Sequence, residues 1–186
     1  MTSRARHGAE HDLPTEVSNR SIFQKRLQGE IHAASRSKRS LALCILGLDR
    51  FREINHIFGV QVGDSLLREV GRRFASVTDG CRARTRLGGD EFAAVFRDAT
   101  ATGVEALCAE ILGVLKIPFI VQDVPIDLSG SIGLALFPEH GEGANLLFQT
   151  ANIALDRAKQ FARGYALYEP EDNPYSQKNW PTSAAS

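Results

Sequence analysis

The segment 81–96 constrains the fold of this chain more than any other. Arginines alternate with smaller or apolar residues over 81–87, which is the periodicity of a half-buried strand. An apolar run with the length of a strand follows at 92–96. Gly88 and Gly89 lie between the two and predict a tight β-hairpin, because glycine adopts without strain the positive φ that such turns require.

Two adjacent carboxylates, Asp90 and Glu91, follow the glycines, which predicts that they lie at the tip of the hairpin. One interpretation is that both are simply solvated there. The other is a site for Mg²⁺ and the phosphates of a nucleotide, because this ion prefers a few carboxylates combined with phosphate oxygens and water. The hairpin by itself has no need of two acids at this position.

Composition excludes several classes of function. The chain has 186 residues, of which 43% are hydrophobic, so one domain with a substantial core is expected. Its formal net charge is zero, which argues against bulk attraction to nucleic acid or to an acidic membrane. The longest apolar run, 41–48, is too short to span a membrane, and the N-terminus lacks the apolar segment of a secretory signal. We therefore expect a cytoplasmic protein with no nucleic-acid partner and no membrane contact in this segment.

Hydrophobic periodicity predicts helices interleaved with strands. Asp49 is a candidate N-cap for a short helix that ends at Gly59. The expected fold class is α/β (α+β), with a mixed central sheet flanked by helices. The other predicted helices cover 19–37, the stretch with Leu66, Leu67, Val70 and Phe74, the stretch 104–115 and the stretch 146–158, and the other predicted strands cover 41–48, 119–121, 126–136 and 165–168.

Polarity divides the chain into three parts. Residues 1–11 are predicted to be a flexible N-terminal segment, and 12–168 to be a single folded domain. The polar, proline-containing stretch 169–186 is predicted to be a tail or a linker to a further domain.

Several segments, together with Gly88 to Phe92, resemble the GGDEF domain of the diguanylate cyclase family. The resemblance covers 12–168 and implies a palm-like fold, similar to that of nucleotide cyclases, with the signature residues on the β-hairpin. The other matching segments are Asp12-Leu13-Pro14-Thr15 through Asn19-Arg20, Leu48 to Asn55, Gly63-Asp64, Ser131-Ile132-Gly133, and Ala158-Lys159 with Arg163.

The resemblance also implies a reaction and its cofactor. Diguanylate cyclases act in bacterial signal transduction, where two domains facing each other in a dimer condense two GTP into cyclic di-GMP and release pyrophosphate. The implied cofactor is Mg²⁺ or Mn²⁺. By position, Asp90 and Glu91 would bind the metal and be catalytic, and Leu48 would offer its backbone carbonyl to the metal.

The resemblance further assigns residues to the guanine of GTP. Asn55 and Asp64 match the family's guanine-reading positions, and an amide with a carboxylate complements the donors and acceptors of a guanine edge. Turn and helix-cap roles remain the alternative for both. Gly88 and Gly89 of the signature are also implied GTP contacts.

The triphosphate contacts implied by the resemblance come from two helix ends. The short helix would present backbone N–H groups near Phe51 and Arg52 to the phosphates. Lys159 and Arg163 match family positions that contact the triphosphate, and their spacing of four predicts that they share one helical face. A solvated cationic helix end is the alternative for this pair.

One departure from the family pattern bears on catalysis. Gly47 stands where the family has its first metal-binding aspartate, which makes the metal site degenerate. Losing even an indirect support of a metal site weakens it by about 10- to 100-fold, so losing a ligand should be at least as severe. Asp49 lies two residues later and could replace the missing acid only in part. The family's product-inhibition motif is reversed in charge here, as Asp79 and Arg82, so we expect no inhibitory site.

Three hypotheses follow from these observations. The chain is a working diguanylate cyclase that tolerates Gly47, a GTP-binding regulatory domain beside an EAL or sensor domain, or a dimerisation module that binds no nucleotide. The loss at Gly47 argues against the first, and the retained hairpin and nucleotide positions argue against the third. We therefore predict GTP recognition with weak or lost turnover.

Overall fold

The computed structural model describes residues 16–173. The predicted flexible segment 1–11, the motif at 12–15 and the part of the predicted tail beyond 173 lie outside the described residues. The elements, in chain order, are α1 Glu16–Ser37, β1 Leu41–Leu48, α2 Phe51–Phe58, α3 Val60–Val77, β2 Ala83–Gly88, β3 Glu91–Arg97, α4 Ala101–Leu115, β4 Phe119–Val121, β5 Val124–Ile126, β6 Gly130–Phe137, α5 Ala144–Gln160, β7 Tyr165–Leu167 and a 3₁₀ turn at Pro170–Asp172.

The central sheet has the strand order β2-β3-β1-β6-β7. Neighbouring strands are antiparallel except β6 and β7, which run parallel, so the sheet is mixed as predicted. β1 lies in the middle and is buried along its whole length, which explains its continuous apolar run. Strands β4 and β5 form a separate two-stranded sheet.

Helices cover both faces of the central sheet. One core cluster joins α1 and α5 to the face that carries Leu43 and Ile45 of β1. The other joins α2, α3 and α4 to the opposite face, which carries Cys44 and Leu46. Alternate side chains of β1 therefore pack into two separate cores, and any residue at the end of β1 faces one helix layer or the other.

The predicted strand 126–136 is wrong in one respect, because the structure divides it into β5 and β6. β5 ends at Ile126 after pairing with β4, and β6 begins at Gly130 and pairs with β1. The sequence between them is apolar enough to continue a strand pattern, and Leu128 is indeed buried. Hydrophobic periodicity indicates which residues are buried, but it does not indicate that β5 and β6 pair with different strands.

Two smaller expectations also differ. The predicted helix 146–158 begins on the apolar residue Leu146, but α5 begins at Ala144 and Leu146 is 50% exposed. The hairpin turn consists of Gly89 and Asp90, since Gly88 already pairs with Glu91, and a register shift precedes Gly88. Gly88 and Gly89 do have φ of 137° and 51°, so the predicted need for glycine is confirmed.

None of the helices within residues 16–173 is both long enough and apolar enough to cross a membrane.

Candidate functional site

Three central strands place a row of residues at one end of the sheet. Gly47 of β1 is the Cα partner of Glu91 on β3 and of Ser131 on β6. Directly paired residues point to the same face of a sheet. Gly47, Glu91 and Ser131 therefore share the face that α1 and α5 cover, at the end of the sheet where the hairpin turns.

Asp49 lies beside this row and is fixed by two serines. Its carboxylate accepts hydrogen bonds from Ser129 Oγ and Ser131 Oγ, both at 2.9 Å, and its N–H donates to Ser129 O. The predicted role as an N-cap of α2 is wrong, because Arg50 is the N-cap, in a left-handed conformation without a side-chain cap bond. The serine hydroxyls hold the carboxylate towards β6 and away from the helix start.

The hairpin tip is joined to the end of β1 by a backbone hydrogen bond. Leu48 N–H donates to Asp90 O at 3.1 Å, which holds Asp90 next to the strand whose carbonyl was predicted to serve a metal. Arg86 donates from Nε and from a terminal nitrogen to Gly89 O, at 3.0 and 2.8 Å. The predicted hairpin residues and Leu48 are therefore neighbours in space.

Glu91 forms an ion pair that the sequence did not suggest. A terminal nitrogen of Arg20 on α1 lies 3.3 Å from Glu91 Oε2, and the guanidinium also lies 4.9 Å from the centre of the Phe148 ring. The side chains of Arg20 and Glu91 are 44% and 29% exposed, so the pair lies at the surface. One of the two predicted catalytic acids is thus neutralised by the protein itself.

Lys159 occupies the space above Gly47. A Cβ atom added to Gly47 would lie 2.8 Å from Lys159 Nζ and 3.3 Å from Leu155 Cδ2. Among the side chains described for residues 19–173, that of Lys159 has no hydrogen-bond or ion-pair partner. The last turn of α5 therefore delivers an uncompensated ammonium group to the position where the family pattern has an acid.

Arg163 does not share a helical face with Lys159, contrary to the prediction. α5 ends at Gln160, and Ala162 adopts a φ of 49°. The N–H of Arg163 donates to Ala158 O and that of Ala162 to Lys159 O, a hydrogen-bond pattern that closes helix C-termini. Gly164 follows, and its carbonyl accepts the N–H of Ile132 next to Ser131, so Arg163 still lies at the site's end of the sheet.

The start of α2 lies beside this end of the sheet as well. The helix begins at Phe51, directly after the turn that leaves β1. Phe51 is buried, whereas Arg52 is exposed and has no acidic partner among the described residues. The first N–H groups of a helix have no acceptor within the helix, so those of Phe51 and Arg52 are suited to an anion.

The predicted guanine-reading residues lie where α2 meets α3. A Cβ atom at Gly63 would overlap Asn55 Oδ1, so only glycine at 63 leaves room for the Asn55 amide. Asn55 Oδ1 is buried and has no hydrogen-bond partner within the described part of the chain. Asp64 is the next residue after Gly63 and is exposed. The structure therefore brings Asn55 and Asp64 to one helix junction and leaves a buried acceptor atom unsatisfied there.

The described side chains offer too few oxygen ligands to hold a divalent ion without a nucleotide. Magnesium sites need several oxygen ligands in a nearly fixed geometry. No group of three or more His, Cys, Asp or Glu side chains within residues 16–173 could hold a metal ion. Of the acids at this end of the sheet, Glu91 is paired with Arg20 and Asp49 with two serines, whereas Asp90 has no ion pair among residues 19–173. Gly47 contributes no ligand.

Sequence reasoning missed Arg20, Ser129 and the placement of Lys159 over Gly47. A signal existed for Arg20, which belongs to a matching segment, but nothing in the sequence pairs it with a residue 71 positions away. Ser131 was noticed only as part of a matching strand. Long-range contacts of this kind follow from packing and not from spacing.

A protein-family model described as "Diguanylate cyclase, GGDEF domain" matches residues 9–164 of the chain. Among proteins of known sequence, diguanylate cyclase TpbB of Pseudomonas aeruginosa is 35% identical over 85% of this chain and 37% of its own length. Cyclic di-GMP phosphodiesterase PdeR of Escherichia coli is 32% identical over 91% of this chain and 26% of its own length. The chain thus spans well under half of these relatives.

Among solved structures, the GGDEF domain of TpbB from Pseudomonas aeruginosa superposes with a TM-score of 0.74 at 32% identity. The match covers 81% of this chain and 96% of the TpbB domain. The central mixed sheet and its two helix layers are therefore shared with that domain.

Proposed function

This chain belongs to the GGDEF domain family of diguanylate cyclases, and we propose that it recognises GTP with weak or lost turnover. Membership of the family places the domain in cyclic di-GMP signalling. Diguanylate cyclases join two GTP molecules across a dimer and generally use a divalent metal, here expected to be Mg²⁺ or Mn²⁺. The proposal separates the two parts of that activity, nucleotide recognition and metal-dependent condensation.

The observation that carries the proposal is the ammonium group of Lys159 above Gly47. Phosphoryl transfer depends on metal ions that neutralise charge on the transferring group. At this site a cation of the protein lies where an acidic ligand would start, and Glu91 is held by Arg20. Metal binding by Asp90, Glu91 and the Leu48 carbonyl would therefore be weaker than with a third acid present.

Retention of the nucleotide-contacting residues supports GTP recognition. The Asn55 Oδ1 atom is buried without a partner, and burying such an atom costs about 1–3 kcal/mol. Gly63 is the residue that makes room for it. The junction also brings Asn55 next to Asp64, and an amide with a carboxylate complements the donors and acceptors of a guanine edge.

We also propose that the domain regulates a larger protein in the bacterial cytoplasm. The chain matches 26% of PdeR, whose name describes a phosphodiesterase, and 37% of TpbB, whose name describes a cyclase. A GTP-binding domain with little turnover suits a protein like the phosphodiesterase PdeR. In such a protein, an adjacent EAL or sensor domain would respond to the bound nucleotide. A homodimer is the expected assembly if turnover survives.

The test is a binding and turnover experiment on concentrated protein with Mg²⁺ or Mn²⁺. Calorimetry with GTP is expected to show saturable heat, with ATP as the control for base recognition, and chromatography is expected to show little cyclic di-GMP. Rapid product formation that rises with protein concentration would instead make the chain an active cyclase. Absence of saturable heat at millimolar GTP would contradict the proposal and favour a module that only dimerises.

A further inference from the structure

The shortage of protein ligands for a divalent ion has a specific consequence for this site. We propose that Lys159 acts as the resident cation, so that the triphosphate of GTP binds here without a divalent metal. The inference rests on the proposed function, because it concerns how the same site holds the same nucleotide. It departs from the expected Mg²⁺ or Mn²⁺ dependence of the family.

The first step concerns space. Gly47 has no side chain, and Lys159 extends from the last turn of α5 into the room left above its Cα atom. A side chain at position 47 would have to displace the end of this lysine, since even a Cβ atom would lie 2.8 Å from Nζ. The glycine and the placement of the ammonium group therefore depend on each other.

The second step concerns charge. A divalent ion near Gly47 would be repelled by the ammonium group, and this repulsion is strong outside bulk water. Two of the nearby acids are engaged, Glu91 by Arg20 at 3.3 Å in an exposed pair and Asp49 by two serine hydroxyls, which leaves Asp90 as the nearby carboxylate without an ion pair among residues 19–173. The Lys159 side chain has no acidic partner among residues 19–173, so its charge is available to an anion.

The third step concerns the ligand. A lysine ammonium is a compact charge with three N–H donors, which suits the oxygens of a phosphate chain. Arg52 and Arg163 lie at the same end of the sheet, and neither has an acidic partner in the described structure. Three cations and the first N–H groups of α2 therefore lie at the same end of the sheet as the hairpin turn, which is the chemistry of a triphosphate site.

The test is GTP calorimetry on the full chain in EDTA and, separately, in Mg²⁺. The dissociation constant is expected to agree within about 3-fold between the two conditions. Lys159→Gln is expected to weaken binding in EDTA by about 10- to 100-fold, the range typical of a lost charged hydrogen bond. Lys38→Gln removes another exposed lysine, which lies before the opposite end of β1, and should leave binding unchanged.

Substitution at Gly47 gives the converse experiment. Gly47→Asp adds a carboxylate beside Lys159, so it should weaken GTP binding in EDTA by about 10-fold or more, and Mn²⁺ should restore it. Gly47→Asn adds the same volume without charge, so any loss that both variants share is steric. Thermal unfolding of each variant verifies that it is folded, and a shift of melting temperature by GTP in EDTA provides a second reading of binding.

The outcomes distinguish the two proposals. Binding in Mg²⁺ that disappears in EDTA overturns the role of Lys159 and leaves GTP recognition intact. Lys159→Gln protein that binds GTP in EDTA as the natural chain does also overturns it. Failure of the natural chain to bind GTP under either condition overturns the proposed function, and the inference with it.

Discussion

The base side and the phosphate side of the candidate site are built in different ways. On the base side, α2 and α3 meet so closely that Asn55 fits only against a glycine at position 63. On the phosphate side, the end of the Lys159 side chain lies over Gly47, and that of Arg20 contacts the neighbouring Glu91. Packing fixes the first side, and charge organises the second.

The difference shows why recognition and turnover can separate in one domain. Close packing tolerates few substitutions, because an added atom forces neighbouring backbone or side chains to move. Exposed charged chains rearrange at low energetic cost, and an exposed ion pair contributes at most about 1 kcal/mol. The phosphate side can therefore lose a metal ligand while the base side keeps its shape.

The largest effect is expected on the base side, from Gly63→Ala. The new Cβ would overlap Asn55 Oδ1, so either α2 and α3 separate or the amide leaves its position. Overpacking of this kind should lower the free energy of unfolding by about 1–3 kcal/mol, and GTP affinity should fall by about 100-fold. Chemical denaturation and GTP calorimetry measure the two losses.

Gly71→Ala is the matched control on the same helix. Its Cβ would meet Phe92 Cε1 at 3.5 Å, an ordinary contact. Alanine is favoured over glycine in a helix interior by up to about 1 kcal/mol, so this variant should be as stable as the natural chain or more stable. Equal behaviour of the two variants would contradict the close fit at Gly63.

Asn55→Ala should affect binding without loss of stability. The substitution removes a buried oxygen that has no partner, so the free energy of unfolding should be unchanged or raised by about 1 kcal/mol. GTP affinity should fall about 10-fold or more, since donors on the base lose their acceptor. Asn145→Ala, at an exposed asparagine of α5, serves as the control. A loss of stability with unchanged GTP binding would show that Asn55 has a structural role only.

An acid-dependent effect is expected from Glu69 on α3. Hydrogen bonds from Arg72, and next from Arg73, lower the pKa of Glu69 from 4.5 to about 2. The stabilisation is therefore complete above pH 4.5 and is lost as the pH falls from there towards 2. Because Glu69 is partly exposed, solvent screening limits the contribution to about 1 kcal/mol.

Denaturation of Glu69→Gln across this pH range provides the measurement. The variant should be less stable than the natural chain at neutral pH, and the difference should close in acid. The ion pair between Glu69 and Arg73 belongs to the packed structure, because the Arg73 side chain is only 13% exposed. Its guanidinium also donates hydrogen bonds to the carbonyls of Val114 and Ile117. A difference in stability that stays constant between about pH 6 and about pH 2.5 would rule out the ionised carboxylate as its source.

The smallest effect is expected on the phosphate side, from Arg20→Gln. The exposed pair with Glu91 should contribute about 0.5 kcal/mol or less, and salt should reduce that further. Release of Glu91 should nevertheless strengthen Mn²⁺ binding measured by calorimetry in the Gly47→Asp background. A stability loss as large as that of Gly63→Ala would contradict the distinction between the two sides.

Much of the fold could be predicted because its signals are local. The whole of β1 was predicted at its observed bounds, since a continuous apolar run of that length suits a strand buried on both faces. The end of α2 at Gly59 is confirmed, with a φ of 88°. The division of 126–136 into two strands was missed, because both strands have buried positions and only their partners differ.

The site was predicted as a set of residues but not as an arrangement. The spacing of Lys159 and Arg163 predicted that they share one helical face, whereas the helix ends between them at Gln160. A cap was expected at Asp49, whereas two serines from the approach to β6 and from β6 itself hold its carboxylate. In both cases a contact distant in sequence prevailed over a local preference.

The sequence by itself determined the family, the mixed sheet with its signature hairpin, and the absence of an acid at position 47. These properties depend on residue identity and on periodicity, which the chain carries in every conformation. Only the tertiary structure decided that Lys159 lies over Gly47, that Arg20 pairs with Glu91 and that Asn55 Oδ1 is buried without a partner. Those contacts exist because elements distant in the sequence pack together in the fold. A local sequence pattern does not indicate which distant residues will meet.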